Sequence, residues 1–572
     1  MMAEQKKLYM WPSHWRRPVV HGPCGAVSSN SVYATRAGLE ILKNGGNAFD
    51  AAVAVSLVLS VVEPHHSGIG GGCFSLIYSS KHNEFIALDG RGTAPKNARE
   101  DLFLKDGVVQ NEWKDLGGQS VAIPGLLRTL EVLLHKYGTM QFSEVAAPAI
   151  RYAEQGFGTS YTNVLTMYDD SVKRKLKLSA PMREIYLKKD GSFYGFGEIQ
   201  KNAALADLLK QIAKHGADYF YQGRVAEQIV SLINERGGCF TMSDLIDYQP
   251  KFRIPIRTTY RDCEVVTFPP PSSGCSVIEM LNILEHSDLK ALRHNTAESI
   301  HVLAEAIKLG FADRNEMLGD PDFVPIDVEK IISKEFANER HRLITDKAGE
   351  YLSVEFIEAD NYPGNTSHFS VMDSYGNAVS QTQTVRDWFG SGIVVDGLGF
   401  VLNNTMSDFS AAVGALTSQG LIYGTANAIQ GGKTPLSSMS PCLILRDGKP
   451  FLAIGSAGGP RIITGVLQGI VNAVDYGMTP ERLVNLPYIH VITNAQGLEV
   501  EYGISEDTLK ILEAKGHNLI RNSVDQAMST MINSVMKVGE NYYAAGTARV
   551  DGCGGALLPD GNIVLEGVSQ EI

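Results

Sequence analysis

The sequence predicts a globular α+β protein, and three observations carry that prediction. Of the 572 residues, 44% are hydrophobic and 20% are charged, which is ordinary usage for a folded protein. Leucines and alanines recur at helical spacing in the middle of the chain, over Asn202–Lys214, Arg224–Arg236 and Ala297–Phe311. Past residue 366 the pattern changes to short alternating strands with Gly and Asn turns.

The first third mixes helices and strands. One helix is predicted over Val32–Lys43, because Asn44-Gly45-Gly46 ends it. Asn47 can cap a second helix, with Asp50 three residues on and Glu63-Pro64 as its stop. A glycine-rich segment, 68–72, then leads into an alternating strand over Phe74–Tyr78.

Charge and cysteine usage exclude several classes of protein. The formal net charge is −12 and there is no long basic run, so neither nucleic acid nor an anionic membrane surface is an expected partner. The longest apolar stretch, Ala51–Val62, is too short for a membrane span. The seven cysteines are scattered and never spaced C-x-x-C, and the N-terminus has no apolar h-region. We therefore expect a cytoplasmic protein without a signal peptide.

No metal or cofactor is predicted. The chain has no HExxH motif, EF-hand loop or G-x-S-x-G elbow, and Gly432-Lys433-Thr434 lacks the earlier glycine of a phosphate loop. His65-His66 could bind a metal, but no second ligand cluster stands at suitable spacing. Two polar residues at a helix end are the favoured interpretation.

The most informative segment is a predicted β-hairpin with strands over Asn365–Asp373 and Ala378–Val385. If Asp373 faces Asn377, then Thr366 faces Thr384 and two hydroxyl groups meet across the ladder. A bulge at Gly376 would shift this register by one residue. On the pattern alone, a plain surface hairpin with threonines chosen for β-propensity is the favoured alternative.

Seven ordered motifs resemble the γ-glutamyltranspeptidase family, whose members are N-terminal-nucleophile hydrolases that cut their own chain before a threonine. The first is the hairpin segment Asn365–Val371 with Asp373 and Gly376-Asn377. The others run through most of the chain: Gly45–Ala54, Gly70-Gly71-Gly72, Asp89-Gly90-Arg91 with Ala94-Pro95, Ala312-Asp313-Arg314 with Leu318–Pro321, Asn403-Asn404 with Asp408-Phe409 and Pro435–Pro441, and Gly455–Gly459.

The resemblance implies self-cleavage between Asn365 and Thr366, giving a large piece, 1–365, and a small piece, 366–572. Thr366 would be the nucleophile and its freed α-amine, with an ordinary pKa of about 7.7–8.0, the general base. Thr384 would hydrogen-bond the Thr366 hydroxyl. Gly458 and Gly459 would offer two backbone N–H groups to an oxyanion, although a tight turn is the alternative for this pair.

The resemblance also implies how a γ-glutamyl group is bound. Arg91 would pair its α-carboxylate, with a structural salt bridge as the alternative role. Ser437 and Ser438 would add hydroxyl donors, and Asp408 would pair the α-ammonium. His368 is expected to be structural, because the freed amine already supplies a base.

Arg386 departs from the family pattern, which often has Asn or Glu at this position. Its positive charge would disfavour the amino end of a γ-glutamyl substrate, or would pair a second carboxylate of another substrate. Gly92 stands where an acidic residue often follows the arginine. The stretch between Asp408 and Ser437 is long enough for a lid over the pocket.

The implied fold is a four-layer αββα sandwich in which both pieces contribute strands to one body. The expected partners are a small γ-glutamyl or related carboxylate-bearing amide, and the two pieces themselves as a heterodimer, with a dimer of heterodimers left open. The predicted function is a self-processing γ-glutamyl transferase/glutathione hydrolase. An amidohydrolase or acylase on the same scaffold is the second hypothesis, and an unprocessed binding protein is the third.

Overall fold

Two large antiparallel sheets hold most of the strands of this mixed α+β protein. The computed structural model describes residues 19–352, 365–411, 424–523 and 530–567. The first sheet has seven strands, which are, in spatial order, Val20–Gly22, Asn541–Gly546, Met531–Val538, Lys449–Ala457, Cys442–Arg446, Cys263–Thr267 and Ile256–Tyr260. The second has eight, in the order Ile563–Leu565, Cys553–Leu557, Gly25–Ser29, Ser367–Asp373, Ala378–Thr384, Gly72–Ser79, Glu84–Gly90 and Lys251–Arg253.

Smaller strands form three accessory sheets. One has three strands, and two are two-stranded ribbons: Ile489–His490 with Leu498–Val500 and Leu519–Arg521, Leu104–Lys105 with Val108–Val109, and Phe157–Gly158 with Ile199–Gln200.

Helices surround the sheets. Those of eight or more residues are Val32–Lys43, Ala48–Val62, Leu126–Tyr137, Phe142–Gln155, Asp170–Leu178, Ala203–His215, Gly223–Glu235, Gly274–Leu284, Ala297–Met317, Lys334–His341, Arg461–Val474 and Glu506–Ala514. Shorter α-helices span Asn111–Asp115, Tyr161–Thr166, Ala180–Tyr186, Asp218–Tyr221, Met242–Ile246, Leu289–Leu292, Val328–Ile331 and Pro480–Asn485. Single 3₁₀ turns lie at Gly118–Ser120, Thr405–Asp408 and Thr425–Asn427. Among the described helices, none has the length and apolarity needed to cross a bilayer.

The two large sheets pack face to face. Successive side chains of a strand point to opposite sides, so each strand contributes one set of side chains to the space between the sheets and one set to the helices. On strand Ser367–Asp373, Phe369 and Val371 share a core with helices Val32–Lys43 and Ala48–Val62. Met372 instead joins the core shared with the seven-stranded sheet. The approach of the sheets is close at Gly455, where an added Cβ would lie 2.2 Å from the His368 ring.

Both large sheets contain strands from before and from after the predicted cleavage point, paired directly with one another. In the eight-stranded sheet, Gly25–Ser29 pairs with Ser367–Asp373 on one side and with Cys553–Leu557 on the other. In the seven-stranded sheet, Cys263–Thr267 pairs with Cys442–Arg446. Residues on both sides of position 365 therefore build one body.

The local predictions for the first third and the middle are confirmed. The first helix spans Val32–Lys43 as predicted, and Asn47 caps the next one in a capping box with Asp50. Helices Ala203–His215 and Gly223–Glu235 agree with their predictions within a residue at each end. The helix that begins at Ala297 continues to Met317, six residues beyond the prediction.

The predicted hairpin register is confirmed. Ser367 pairs with Gln383 and Met372 with Ala378, with no shift between them. Gly376 turns the chain with φ +87°. The Asp373 carboxylate closes the turn by accepting from the Asn377 backbone N–H at 2.9 Å and from its Nδ2 at 2.8 Å. Residues 353–364, which precede the predicted cleavage point, and residues 412–423, which are part of the predicted lid, lie outside the described residues.

Candidate active site

The open end of the hairpin brings Thr366 and Thr384 together. Their hydroxyl oxygens are 3.3 Å apart, and both side chains are buried. The Thr366 hydroxyl also donates to the carbonyl oxygen of Asn365 at 2.5 Å. The predicted nucleophile therefore lies directly beside the peptide bond that it would cut.

Thr384 is oriented toward the same carbonyl. The backbone N–H of Arg386 donates to Thr384 Oγ1 at 2.8 Å, and Thr384 Oγ1 donates to the Asn365 carbonyl oxygen at 2.8 Å. Arg386 has φ +82°, in the region that disfavours side chains, so its backbone is strained where it makes this contact. Two hydroxyl groups thus converge on one carbonyl oxygen, and the hydroxyl of Thr384 can stabilise negative charge there.

Gly458 and Gly459 lie between strand Lys449–Ala457 and helix Arg461–Val474. Their φ angles are +121° and +61°, so the backbone conformation favours glycine at both positions. Within the described part of the chain, neither backbone N–H donates a hydrogen bond to the protein. The pair sits at a helix N-terminus, where the backbone favours negative charge.

Arg91, Arg386 and Asp408 form a buried ion network. Arg91 Nη2 contacts Asp408 Oδ2, and Arg386 Nε donates to Asp408 Oδ1 at 3.0 Å. Both carboxylate oxygens of Asp408 are thus held by guanidinium groups. The side chains of Arg91 and Arg386 are 1% and 3% exposed, so these charges are shielded from solvent.

A second layer of charge surrounds Arg386 and was missed by the sequence reasoning. Arg386 Nη1 contacts Asp387 and lies 4.0 Å from Asp115. Burial works to raise the pKa of Asp387, but the charges of Arg386 and Lys175 outweigh it and leave this pKa below its usual value. Burial lowers the pKa of Lys175 to about 8. Asn404 also donates to Asp387, at 2.7 Å. The indication available in the sequence was that an acidic residue, Asp387, directly follows Arg386.

Ser437 and Ser438 line the cavity on a loop that hydrogen bonds with Ser273 and Pro271 hold in place. The Ser273 hydroxyl donates to the Ser437 carbonyl oxygen at 2.6 Å, and Arg314 Nε donates to Ser273 Oγ at 2.7 Å. The Ser437 backbone N–H donates to the Pro271 carbonyl oxygen at 2.8 Å. The buried Arg314 therefore connects the family-like segment 312–314, which does not line the cavity, to the loop that does.

One cavity collects nearly the whole predicted site. It is lined by Arg91, Asn365, Thr366, Thr384, Arg386, Asp408, Leu436, Ser437, Ser438, Met439, Gly459 and Ile462. Gly458, which precedes Gly459 in the sequence, is the one predicted site residue that is not part of this lining. The apolar contributions of Leu436, Met439 and Ile462 had no signal in the sequence.

The histidines near the hairpin are buried and uncharged. Burial lowers the pKa of His368 to about 3, and its ring contacts the hydroxyls of Thr382 at 2.9 Å and Ser370 at 3.1 Å. Burial likewise lowers the pKa of His66 to about 3, and burial together with the charge of His66 lowers the pKa of His65. The two hydroxyl contacts of His368 hold its ring between strand Ser367–Asp373 and strand Ala378–Thr384.

Three potential metal ligands come together elsewhere, at a place the sequence did not reveal. His301, Glu305 and His517 lie within 4.8 Å of one another. The Lys308 ammonium already lies 2.8 Å from Glu305, and His301 pairs with His517 at 2.8 Å. A divalent cation would have to displace that positive charge, so the cluster fits an internal ion pair better than a metal.

Comparisons with known proteins give the class and then the family. The structure resembles cephalosporin acylase from Bacillus halodurans, with a TM-score of 0.84 and 27% identity over 96% of this chain and 98% of that one. It also resembles γ-glutamyltranspeptidase from Helicobacter pylori, with a TM-score of 0.54 and 36% identity over 55% of this chain and 90% of that one. The chain thus falls within the N-terminal-nucleophile hydrolases.

The sequence comparisons agree. The family model named Gamma-glutamyltranspeptidase matches residues 34–556. A glutathione hydrolase proenzyme of Escherichia coli (strain K12) is 39% identical over 92% of this chain and 91% of its own length. The Acylase ACY 1 proenzyme of Pseudomonas sp. (strain SE83) is 35% identical over 88% of each. This chain therefore belongs to the γ-glutamyltranspeptidase family.

Proposed function

We propose that this protein is a self-processing amidase whose nucleophile is Thr366 and whose substrate is a γ-glutamyl amide, as in a γ-glutamyltransferase/glutathione hydrolase. The observation that carries the proposal is the contact of the Thr366 and Thr384 hydroxyls with the Asn365 carbonyl oxygen, at 2.5 and 2.8 Å. A hydroxyl in this place can attack its own preceding carbonyl, and the second hydroxyl can stabilise the charge that results.

Processing follows from this geometry. The Thr366 oxygen attacks the Asn365 carbonyl carbon, its proton passes to the departing Thr366 nitrogen, and the peptide becomes an ester. Water then hydrolyses the ester, which leaves Asn365 as a carboxylate and Thr366 with a free hydroxyl and a free amine. The pieces 1–365 and 366–572 stay together as a heterodimer, because strands of one piece are hydrogen-bonded to strands of the other in both sheets. We propose that these sheets and their outer helices form the four-layer αββα sandwich of this superfamily.

Turnover uses the same hydroxyl. The freed amine takes the Thr366 hydroxyl proton while the oxygen attacks the amide carbon of the substrate. The N–H groups of Gly458 and Gly459 stabilise the oxyanion, and the proton passes to the leaving amine. The acyl group, now an ester on Thr366, transfers to water or to the amine of an amino acid or peptide.

Arg91, Ser437 and Ser438 hold the carboxylate of the acyl group in this proposal. A planar guanidinium suits a carboxylate, and the serine hydroxyls add donors in the same cavity. For a γ-glutamyl group, Asp408 must also receive the α-ammonium, which requires one of its arginine contacts to give way.

A second candidate function is favoured by that last requirement. Because Arg386 occupies Asp408 Oδ1, the cavity suits an acyl group that has a terminal carboxylate but no ammonium. An acylase that removes such a group from an amide is therefore the alternative. The relatives include both kinds of protein.

Two experiments test these proposals. On a denaturing gel, processed protein should give two bands of roughly 40 and 22 kDa from the 62.2 kDa chain, and Thr366→Ala should give one band and no activity. A processed and active Thr366→Ala protein would refute the mechanism. Release of p-nitroaniline is then compared between L-γ-glutamyl- and glutaryl-p-nitroanilide, which differ only in the ammonium. A higher kcat/KM for the glutaryl compound would select the acylase.

A further inference from the structure

A short turn behind the hairpin touches both strands beside the reactive threonines. We define the Glu63 turn as residues 63–67, which follow helix Ala48–Val62. The backbone N–H of Val385, next to Thr384, donates to the His66 carbonyl oxygen at 3.1 Å. The hydroxyl of Ser367, next to Thr366, donates to Glu63 Oε2 at 2.8 Å. One turn therefore braces the residue that follows each threonine.

A chain of buried hydrogen bonds completes the brace. Gln383 Nε2 donates to Ser67 Oγ at 3.0 Å, Ser67 Oγ donates to Ser367 Oγ at 3.1 Å, and Ser367 donates in turn to Glu63. Gln383 faces Ser367 across the hairpin, one position below the threonine pair. The chain thus links the two strands at the level where the separation of the threonines is set, and it ends on one carboxyl group.

The surroundings of Glu63 favour its neutral form. The residue is 4% exposed, and burial raises the pKa of its carboxyl to about 8, against the opposing effect of the Ser367 hydrogen bond. Its neighbours are Ser367 on the hairpin, uncharged His65 and His66 on its own turn, and Asp551 before strand Cys553–Leu557. Asp551 adds a like charge that raises the pKa of Glu63 further, and no cation within the described ranges offsets it.

We propose that Glu63 is a positioning residue for self-cleavage at Thr366, and that it acts through Ser367 as the protonated carboxylic acid. This inference rests on the proposed function and adds a residue outside the substrate cavity. Ionisation of Glu63 would place an uncompensated charge in a buried site and next to Asp551. The brace would then loosen, and the 3.3 Å approach of Thr366 to Thr384 would be lost.

The precursor provides the cleanest test, because it has no free Thr366 amine to titrate. Precursor made by cell-free synthesis is transferred to buffers from pH 6 to 10, and the cleaved fraction is followed on gels. For wild type, the rate relative to Glu63→Gln should fall by about tenfold per pH unit above pH 8, since glutamine cannot ionise. At pH 7, Glu63→Ala should cleave about ten- to a hundredfold more slowly than Glu63→Gln. Glu279→Gln, at a buried acid that faces Asp313 instead of the hairpin, is the matched control and should behave as wild type.

Three results would overturn the inference. The first is a fall in the cleavage rate of Glu63→Gln above pH 8 that equals the fall in wild type. The second is cleavage of the Glu63→Ala precursor at the wild-type rate. The third is cleavage of the Ser367→Ala precursor at the wild-type rate, a variant that tests the same hydrogen bond if the Glu63→Ala chain fails to fold. Absence of cleavage in wild type at every pH would refute the proposed function itself, and this inference with it. Normal cleavage that ignores Glu63 would refute this inference alone.

Discussion

Replacing Thr384 with valine isolates the hydroxyl that faces the predicted cleavage point. Valine keeps the shape and β-branching of threonine but cannot donate to the Asn365 carbonyl oxygen, which now lies 2.8 Å from Thr384 Oγ1. Removing one donor from a developing oxyanion typically slows a reaction by about 10²–10³-fold, or about 2.7–4 kcal/mol. The precursor should therefore accumulate, with its half-life extended by a factor of that order.

The substitution also has a cost in stability. The Arg386 backbone N–H donates to Thr384 Oγ1 at 2.8 Å and would lose its acceptor in a buried place. An unsatisfied buried donor costs about 1–3 kcal/mol, so the melting temperature should fall modestly while the chain still folds.

The assay is a time course of precursor cleavage on denaturing gels, with two controls. Thr384→Ser restores the hydroxyl and should restore most of the rate. Thr382→Val removes the next hydroxyl on the same strand face, which contacts His368 and not the cleavage point. Cleavage of the Thr384→Val precursor at the wild-type rate would show that this hydroxyl does not act on the carbonyl.

Three further predictions concern the oxyanion site, the ion network and Glu63. Gly459→Ala, at φ +61°, should lower kcat by about 10²-fold, because the added methyl group displaces the backbone N–H. Gly477→Ala, at φ +62° with open space around it, is the control for backbone strain. An equal fall in kcat for both variants would contradict an oxyanion role for Gly459. Arg386→Asn releases one oxygen of Asp408 and should raise the ratio of kcat/KM for the γ-glutamyl anilide to that for the glutaryl anilide. It should also lower the free energy of unfolding by about 3 kcal/mol, because buried Asp387 and Asp408 lose their partner. An unchanged ratio would show that Arg386 does not determine substrate specificity. Because the pKa of Glu63 is raised, the native state holds the Glu63 proton between about pH 4.5 and 8 while the unfolded chain does not. The free energy of unfolding of wild type should therefore fall relative to that of Glu63→Gln as pH rises through this window, by about 5 kcal/mol at most. Melting temperatures of the two proteins that change in parallel from pH 4 to 9 would contradict this prediction.

Local features of the fold were predictable where the physics is local. The Asn47–Asp50 capping box and the Gly376 turn depend on residues a few positions apart, and both occur as predicted. The hairpin register followed from the position of the turn alone, which then placed Thr366 against Thr384. The helix from Ala297 extends past its predicted end because Arg314 is buried against Ser273, a contact that no periodicity reveals.

The electrostatics of the site were less predictable. Arg386 was predicted to contact the substrate and it lines the cavity, but its ion pairs with Asp408, 22 residues away, and with Asp387 beside it were not predicted. Sequence position shows that these charges exist but not which of them meet. Glu63 looked like a helix stop, and only the fold shows that its carboxyl receives the Ser367 hydroxyl, 304 residues away.

The most direct test of the account is the intact mass of the purified, active protein. Self-cleavage predicts two chains, the smaller of which begins at Thr366 with an unmodified amine, and a single chain for Thr366→Ala. Full activity in a protein that contains only the uncut chain would contradict it.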